Sequence, residues 1–299
     1  MLAATRSADV LVIGAGVIGL ATAVELLRAG LQVTVIERAT VGRGGASWAG
    51  GGILFPLDPD DVDAALLPLL QDSLAVYASW CEELHARSGV DPEYRVSGLQ
   101  VLPPADREKW EVLAAQCGAS VQRDSDGTTL LLREVAQVRS PRLLRALAGT
   151  VRALGGELIE NEDVLGLVAQ GGAAIEGVRG RTQTYRAPTV VLAAGAWSQA
   201  LHSRVSIEPV RGQMLALRAS PRALPHIALA QRQYLIPRAD GLIVVGSTLE
   251  RAGFEDVPTL EGREMLLACA RRMAPTLADA ELVAHWSGLR PAPLGAAPH

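Results

Sequence analysis

Cysteine is scarce in this 299-residue chain: Cys81, Cys117 and Cys269 stand far apart. They form no C-x-x-C or metal-ligand spacing, so they read as structural residues of a reducing, intracellular compartment. Lysine is scarcer still. Lys109 is the one lysine among 28 basic residues, which leaves almost no candidate for Schiff-base chemistry. An excess of positive charge is also missing: a net charge of -4 and a pI near 5.8 provide no basic field to attract nucleic acid or an anionic lipid surface. His85, His202, His226, His285 and His299 show no ligand spacing, so no metal site is expected. The longest apolar run, residues 10 to 27, is interrupted by Glu25 and by patterned glycines, which suits a strand, a turn and a helix better than a membrane span. The opening MLAATRSADV has neither an apolar h-region nor a cleavage signature, so no secretory signal is expected and a cytoplasmic location is the default.

What is present is the composition of a folded protein, 49% hydrophobic and 20% charged, at a length comfortable for two domains. From residue 9 the pattern runs through an apolar strand (VLVI), a glycine turn, a helix of 3.6 period to Arg28, Gly30 as a stop, and a second strand (LQVTVIE). This βαβ opening predicts a parallel sheet. Residues 42 to 52 (GRGGASWAGGG) read as a loop whose glycines take positive φ or lie close against something. Residues 63 to 87 read as helix. Strands at 94 to 102 and 128 to 132, with a helix around 105 to 117, interrupt the nucleotide-binding pattern and point to an inserted domain. Ser140 is the expected N-cap of a helix with proline in its first turn, followed by strands through Leu158 and Val164. Residues 189 to 194 (TVVLAA) read as a buried parallel strand. Strands at MLALR, QYLIPR and LIVVGST and a helix over 260 to 273 predict a mostly antiparallel unit. The fold class expected is α/β, a Rossmann-type domain with an inserted, mostly antiparallel α+β domain. The expected boundaries are 1–82, 138–204 and 286–299 for the first and 83–137 and 205–285 for the second.

The glycine turn carries the most specific signal. Gly14, Gly16 and Gly19 follow a strand and open a helix, Ala23 holds the small packing position four residues on, and Glu37 ends the next strand. Gly14 makes the tight turn, Gly16 lets the backbone approach a pyrophosphate, and Gly19 with Ala23 lets helix and strand pack closely. The helix N-terminus offers N–H groups and partial positive charge to phosphates. Glu37 suits the ribose hydroxyls of an adenosine and repels a 2'-phosphate, which argues against NADP.

Beyond this fingerprint, VVLAAGAWS (190 to 198) and SWAGGGIL (47 to 54) resemble signatures of FAD-binding proteins. EPVRGQM (208 to 214), QYLIPR (233 to 238), GLIVVGSTLE (241 to 250) and HWSGLRPAP (285 to 293) resemble the D-amino-acid oxidase superfamily over nearly the whole chain, in particular the glycine oxidases of thiamine biosynthesis. The resemblance implies a GR2-like flavoprotein with FAD as cofactor. Its FAD contacts map onto Gly14, Gly16, Val17, Ile18, Gly19, Glu37, Arg38, Gly45, Ala46, Ser47, Gly50, Gly51, Gly52, Ala194, Gly195 and Trp197, with Val164 meeting the adenine through its backbone. It also implies that Arg290 and Tyr234 hold the substrate carboxylate, a role in which a planar guanidinium fork outperforms an ammonium. Trp48 stands where many family members carry a small residue, which implies a bulky ring that crowds the flavin or flanks the substrate. The implied reaction is oxidative deamination of glycine, sarcosine or a small D-amino acid. The α-hydrogen leaves as hydride to flavin N5, O2 reoxidises the flavin to give H2O2, and no general base is named.

Members of the family continue past the GLRP motif with another strand, a long helix and a second substrate-facing arginine, whereas this sequence ends at LGAAPH. The resemblance therefore implies that a core element of the FAD domain lies outside this sequence. Two alternatives stay open. One is a dye- or quinone-linked amino-acid dehydrogenase of the same fold; the other is a truncated, noncatalytic dinucleotide-binding chain that needs a complementing subunit. Homo-oligomerisation is likewise left open.

Overall fold

The computed structural model describes residues 8–104, 106–124, 128–170, 174–220 and 223–294. Residues 1–7, residue 105 at the start of the expected 105 to 117 helix, and residues 295–299, including His299, lie outside the described residues.

Two sheets organise the molecule, and the class is α/β as expected. In the first, Thr189–Leu192, β1 (Val10–Ile13), β2 (Val33–Ile36) and Glu157–Ile159 lie side by side in that order, all parallel. Every residue of β1 and β2 is buried, as strands rich in valine and isoleucine are when both faces are covered. Helix α1 (Val17–Arg28) joins them, burying Gly19, Leu20, Ala23 and Val24 on one face, and Gly30 at φ +85° ends it. The expected burial of the 189 to 194 strand is corrected: Thr189 is exposed and Val190 to Leu192 are only half-buried. This strand is the edge of its sheet, paired along one side with β1.

The second sheet has eight strands in the order Glu281–Pro293, Ile207–Arg218, Leu242–Gly246, Gln233–Pro237, Ile227–Ala230, Leu99–Val101, Leu130–Leu132 and Val121–Arg123. It is antiparallel except where Ile227–Ala230 runs parallel to Leu99–Val101. Period-2 alternation gives it two apolar faces. Met214, Tyr234, Ile236 and Val244 pack with Phe55, Trp110 and Leu113, while Leu215, Leu217, Leu235, Ile243 and Val245 pack with Leu266 and Ala270 of the helix Leu260–Met273.

Four local expectations need adjusting. Residues 42 to 52 are not all loop: Gly44 and Gly45, both at φ +70°, turn the chain into a short helix, α2 (Gly45–Ala49). The 63 to 87 helix begins later, as Leu67–Ser88, after two short 3-10 turns. The 94 to 102 strand is divided into Arg95–Val96 and Leu99–Val101, in different sheets, because Gly98 at φ +66° turns the chain between them. Ser140 is the first residue of the helix Ser140–Ala153 rather than its cap, and no side chain caps that end. Its hydroxyl lies instead 3.0 Å from where a Cβ on Gly52 would stand. Among the described residues no helix is long and apolar enough to cross a membrane.

Candidate functional site

The C-terminal ends of β1 and β2 form one part of the site. Gly14, at φ +101°, ends β1 and donates its N–H to Ile36 O at 2.8 Å. A Cβ on Gly14 would stand 2.5 Å from Ala193 O, and one on Gly19 would stand 1.9 Å from Gly14 O, so both glycines are required by close packing. Gly16 differs: a Cβ there would meet Ser47 Oγ alone, at 3.2 Å. The Ser47 hydroxyl accepts the Val17 N–H at 3.0 Å, which joins α2 to the start of α1, and Ile18 is 68% exposed there. The Glu37 carboxylate accepts the N–H groups of Ala15 at 2.7 Å and Ala39 at 2.9 Å. It is thus fixed beside the glycine turn, with lone pairs left for a ligand.

Several residues far apart in sequence meet here. Val164 and Ala194 pack into the cluster of Ile13 and Ile36. Arg38 lies over the Trp197 ring, its Cζ 3.3 Å from the centroid, and Trp197 stacks obliquely on Phe254 at 5.5 Å. Gly195, at φ +54°, turns the chain between Ala194 and Trp197.

The glycine loop continues from this cleft to the large sheet. Ala46 and Ser47 lie in α2, and Trp286 Nε1 donates to Ala49 O at 3.1 Å. The Trp48 ring meets the Trp286 ring edge-on at 6.3 Å. Gly50 N–H closes α2 on Ala46 O, and a Cβ on Gly51 would press into Ile236 at 2.7 Å and the Tyr234 ring at 3.1 Å.

Register builds the other part. Arg290 pairs with Val210, Gly288 with Gly212 and Trp286 with Met214, so Arg290 and Trp286 share a face with Met214. The guanidinium lies flat on Gly212, where a Cβ would stand 2.1 Å from Nη1, and reaches across that strand to donate to Thr248 O at 3.2 Å and Ser247 Oγ at 2.7 Å. No carboxylate within 4.0 Å pairs with it among the described residues. On the same face the buried Tyr234 ring packs against Gly246, next to Ser247, and its hydroxyl donates to Met214 Sδ at 3.3 Å. A thioether is a weak acceptor, so this hydroxyl is held loosely.

Behind Arg290 is a polar network that inspection of the sequence missed. Arg211, buried, pairs with Glu250 at 2.5 Å, and Gln213, fully buried, donates to Glu250 and Thr259 and accepts from His285. Burial pushes the Glu250 carboxyl upward, but hydrogen bonds from Thr248, Arg211 and Gln213 outweigh it and hold the group below its ordinary range. Burial, with Arg263 adding to it, lowers the His285 imidazole, which supports a neutral, structural histidine. A cavity of about 820 Å³ opens beside Ser247, Thr248 and Glu250 and is walled by Trp110, Leu57 and Met265; none of the glycine-turn residues line it. Gly212 and Ser247 carry no single-sequence signal, because their importance comes from which strands become neighbours. Among the described residues no cluster of His, Cys, Asp and Glu could hold a metal ion.

A glycine turn at the C-terminal end of a parallel sheet, an anchored acidic residue and a large, mostly antiparallel sheet together define a dinucleotide-binding oxidoreductase. The FAD dependent oxidoreductase family matches residues 9–299, and the chain belongs to that family, with FAD as its cofactor. It is 40% identical to a glycine oxidase of Pseudomonas aeruginosa over 95% of this chain and 83% of that protein, and 30% identical to a glycine oxidase of Geobacillus kaustophilus over 96% and 82%. The crystal structure of the Geobacillus kaustophilus enzyme superposes with a TM-score of 0.87 over 97% of this chain and 84% of that one, at 28% identity. An iminodiacetate oxidase from Chelativorans sp. BNC1 shares the fold, at TM-score 0.83 and 24% identity over 95% and 84% of the two chains.

The residues present fit FAD. Gly44 and Gly45 leave open space beside the backbone, the first turn of α1 has N–H groups without intrahelical acceptors, and Glu37 is fixed where an adenosine ribose is expected.

Proposed function

We propose that this protein is an FAD-dependent oxidase of small amino acids or amines, with glycine, sarcosine or a small D-amino acid as substrate. The observation that carries this reading is Arg290: a half-buried guanidinium on an apolar sheet face, held by two neutral oxygens and by no carboxylate among the described residues. An unpaired cation placed so is ready for an anion, and a planar fork matches a carboxylate. The names of the relatives from Pseudomonas aeruginosa and Geobacillus kaustophilus, both glycine oxidases, support an amino-acid substrate.

Gly14, Gly16, Val17, Ile18 and Gly19 would hold the pyrophosphate with Ser47, and Glu37 and Arg38 the ribose. Gly45, Ala46 and Gly50–Gly52 would follow the dinucleotide toward the large sheet, with Val164, Ala194, Gly195 and Trp197 beside it. FAD supplies the two-electron acceptor, and O2 would then take those electrons to give H2O2. The residues of this chain bind and orient. Arg290 fixes the carboxylate, and the Tyr234 hydroxyl exchanges its sulfur contact for a carboxylate oxygen. Met214, Tyr234 and Trp286 exclude water and leave room for a small side chain. The substrate unit would be built from residues 83–137 and 205–285 together with the rest of the strand Glu281–Pro293, which lies wholly in the large sheet, and the FAD unit from residues 8–82 and 138–204.

The test is the visible spectrum of the FAD-loaded protein under anaerobic conditions, with glycine, sarcosine or D-alanine added, followed by air and a peroxide assay. Bleaching by glycine but not by glycinamide, with peroxide on reoxidation, is the expected result. A spectrum unmoved by every one of these amino acids overturns the proposal, and bleaching that is reversed by an artificial dye but not by O2 replaces the oxidase with a dehydrogenase.

A further inference from the structure

Arg290 is open to a ligand; a second guanidinium on the same side of the large sheet is sealed. Arg238, which follows the strand Gln233–Pro237, is 8% exposed. It donates through Nη1 to Gln137 Oε1 at 2.5 Å and to Val138 O at 2.9 Å, and through Nη2 to Gly51 O at 2.6 Å. Its Nε is buried without a partner, and among the described residues no carboxylate lies within 4.0 Å. The acids nearby, Glu93 and Asp240, are both paired with Arg139. Gln137 is arranged for this cation: its amide nitrogen donates to Ser97 Oγ at 2.7 Å and to Pro237 O at 3.0 Å, which leaves the amide oxygen facing Arg238. Burial, with Arg139 adding to it, pushes the guanidinium down to about 10, so it remains a cation at neutral pH.

A buried guanidinium with neutral partners alone carries a desolvation cost that its hydrogen bonds only partly offset, so fold stability is a weak reason for its presence. What distinguishes this one is the segment it grips. Gly51 lies flat against Ile236 and Tyr234, and Gly52, at φ +74°, accepts the Val138 N–H at 2.8 Å. Arg238 closes the remaining edge by joining the carbonyls of Gly51 and Val138. The cation therefore fixes the loop from behind and places an uncompensated positive charge against it, in surroundings that screen charge weakly.

We propose that Arg238 is a positioning residue for the bound flavin: it holds the Gly50–Gly52 backbone in its binding shape, and its charge raises the potential at which the flavin accepts electrons. This rests on the reading that Gly50–Gly52 contacts FAD.

The test compares the wild-type chain with Arg238→Met and Arg238→Lys, each stripped of flavin and reloaded with FAD. The readouts are the FAD dissociation constant, the midpoint potential of the bound flavin and the melting temperature of the flavin-free protein. The methionine variant is expected to bind FAD at least tenfold more weakly and at a lower midpoint potential, while its flavin-free melting temperature, lowered by the acceptors that lose their donor, falls less than that of the FAD-loaded protein. The lysine variant keeps the charge but cannot span three acceptors, so it should keep the wild-type potential and still lose FAD affinity. A methionine variant equal to the wild type in both affinity and potential overturns the proposal, as does a lysine variant with a lowered potential. If the methionine variant does not fold, the lysine variant decides by the same criterion. A wild-type chain that takes up no FAD overturns the cofactor reading and this inference together, whereas FAD uptake with an unaltered methionine variant removes only the inference.

Discussion

The two parts of the site are built from different materials. At the ends of β1 and β2 the working groups are backbone: N–H donors, glycines without a Cβ, and one carboxylate, Glu37, that accepts an N–H 22 residues before it. At the Arg290 end the working groups are side chains on strand faces, brought together by the register of Glu281–Pro293 on Ile207–Arg218 and completed by Ser247 and Thr248, 43 and 42 residues away. Backbone sites tolerate no added atoms but ask little of side-chain chemistry. Side-chain sites ask for one particular group on a flat support.

That contrast can be broken most directly at the glycine turn. Gly14→Ala puts a methyl group 2.5 Å from a backbone carbonyl at a strained φ of +101°. It should cost on the order of 2–4 kcal/mol and abolish FAD retention, as read by thermal melting and flavin absorbance. A stable, yellow Gly14→Ala protein would show that the turn is not under close packing constraint.

Next in size is Arg290→Ala, which removes a charged donor fork and should lower kcat/KM for glycine by roughly a hundredfold, about 3 kcal/mol, with FAD still bound. Arg290→Lys should restore only part of this. Gly212→Ala sharpens the point: the guanidinium loses its flat support, and KM should rise about tenfold with kcat little changed, in keeping with about 1.4 kcal/mol of lost ground-state binding. If steady-state kinetics find the two parameters unchanged, the floor under Arg290 is irrelevant.

Smaller again is Glu37→Gln, which weakens the anchor on the Ala15 N–H and should loosen FAD about tenfold or less in a fluorescence titration. The last concerns pH. The Glu250 carboxyl is held low in the folded state, so it contributes stability above its unfolded value, about 4.3, and loses it as pH falls through the lower folded value. Glu250→Gln should therefore melt with a flatter dependence on pH in the acid range than the wild type. A steeper dependence would mean that the Arg211 pair is not the relevant contact.

How much of this was legible in the sequence follows the same division. Gly14, Gly16, Gly19 and Glu37 were found by spacing because a βαβ unit fixes the path between them, from the end of β1 through α1 to the end of β2. Thr189–Leu192 was recognised as a parallel strand, but its place at the sheet edge was not, since apolar composition does not reveal which neighbour is present. Arg290 and Tyr234 were named through family motifs. Their supports Gly212, Ser247 and Met214 were not, because nothing in one strand states which residue of another will lie opposite.

The sequence by itself determined the dinucleotide turn and the alternation of strands, because hydrophobic period and glycine spacing act over short stretches of chain, while the kind of chemistry was read from motifs that resemble a known family. Only the tertiary structure decided that Arg290 lies unpaired on Gly212 while Arg238 is sealed behind Gly51. Both are arginines at the ends of apolar motifs, and the difference between an open cation and a buried one depends on strand order and register, which long-range packing sets.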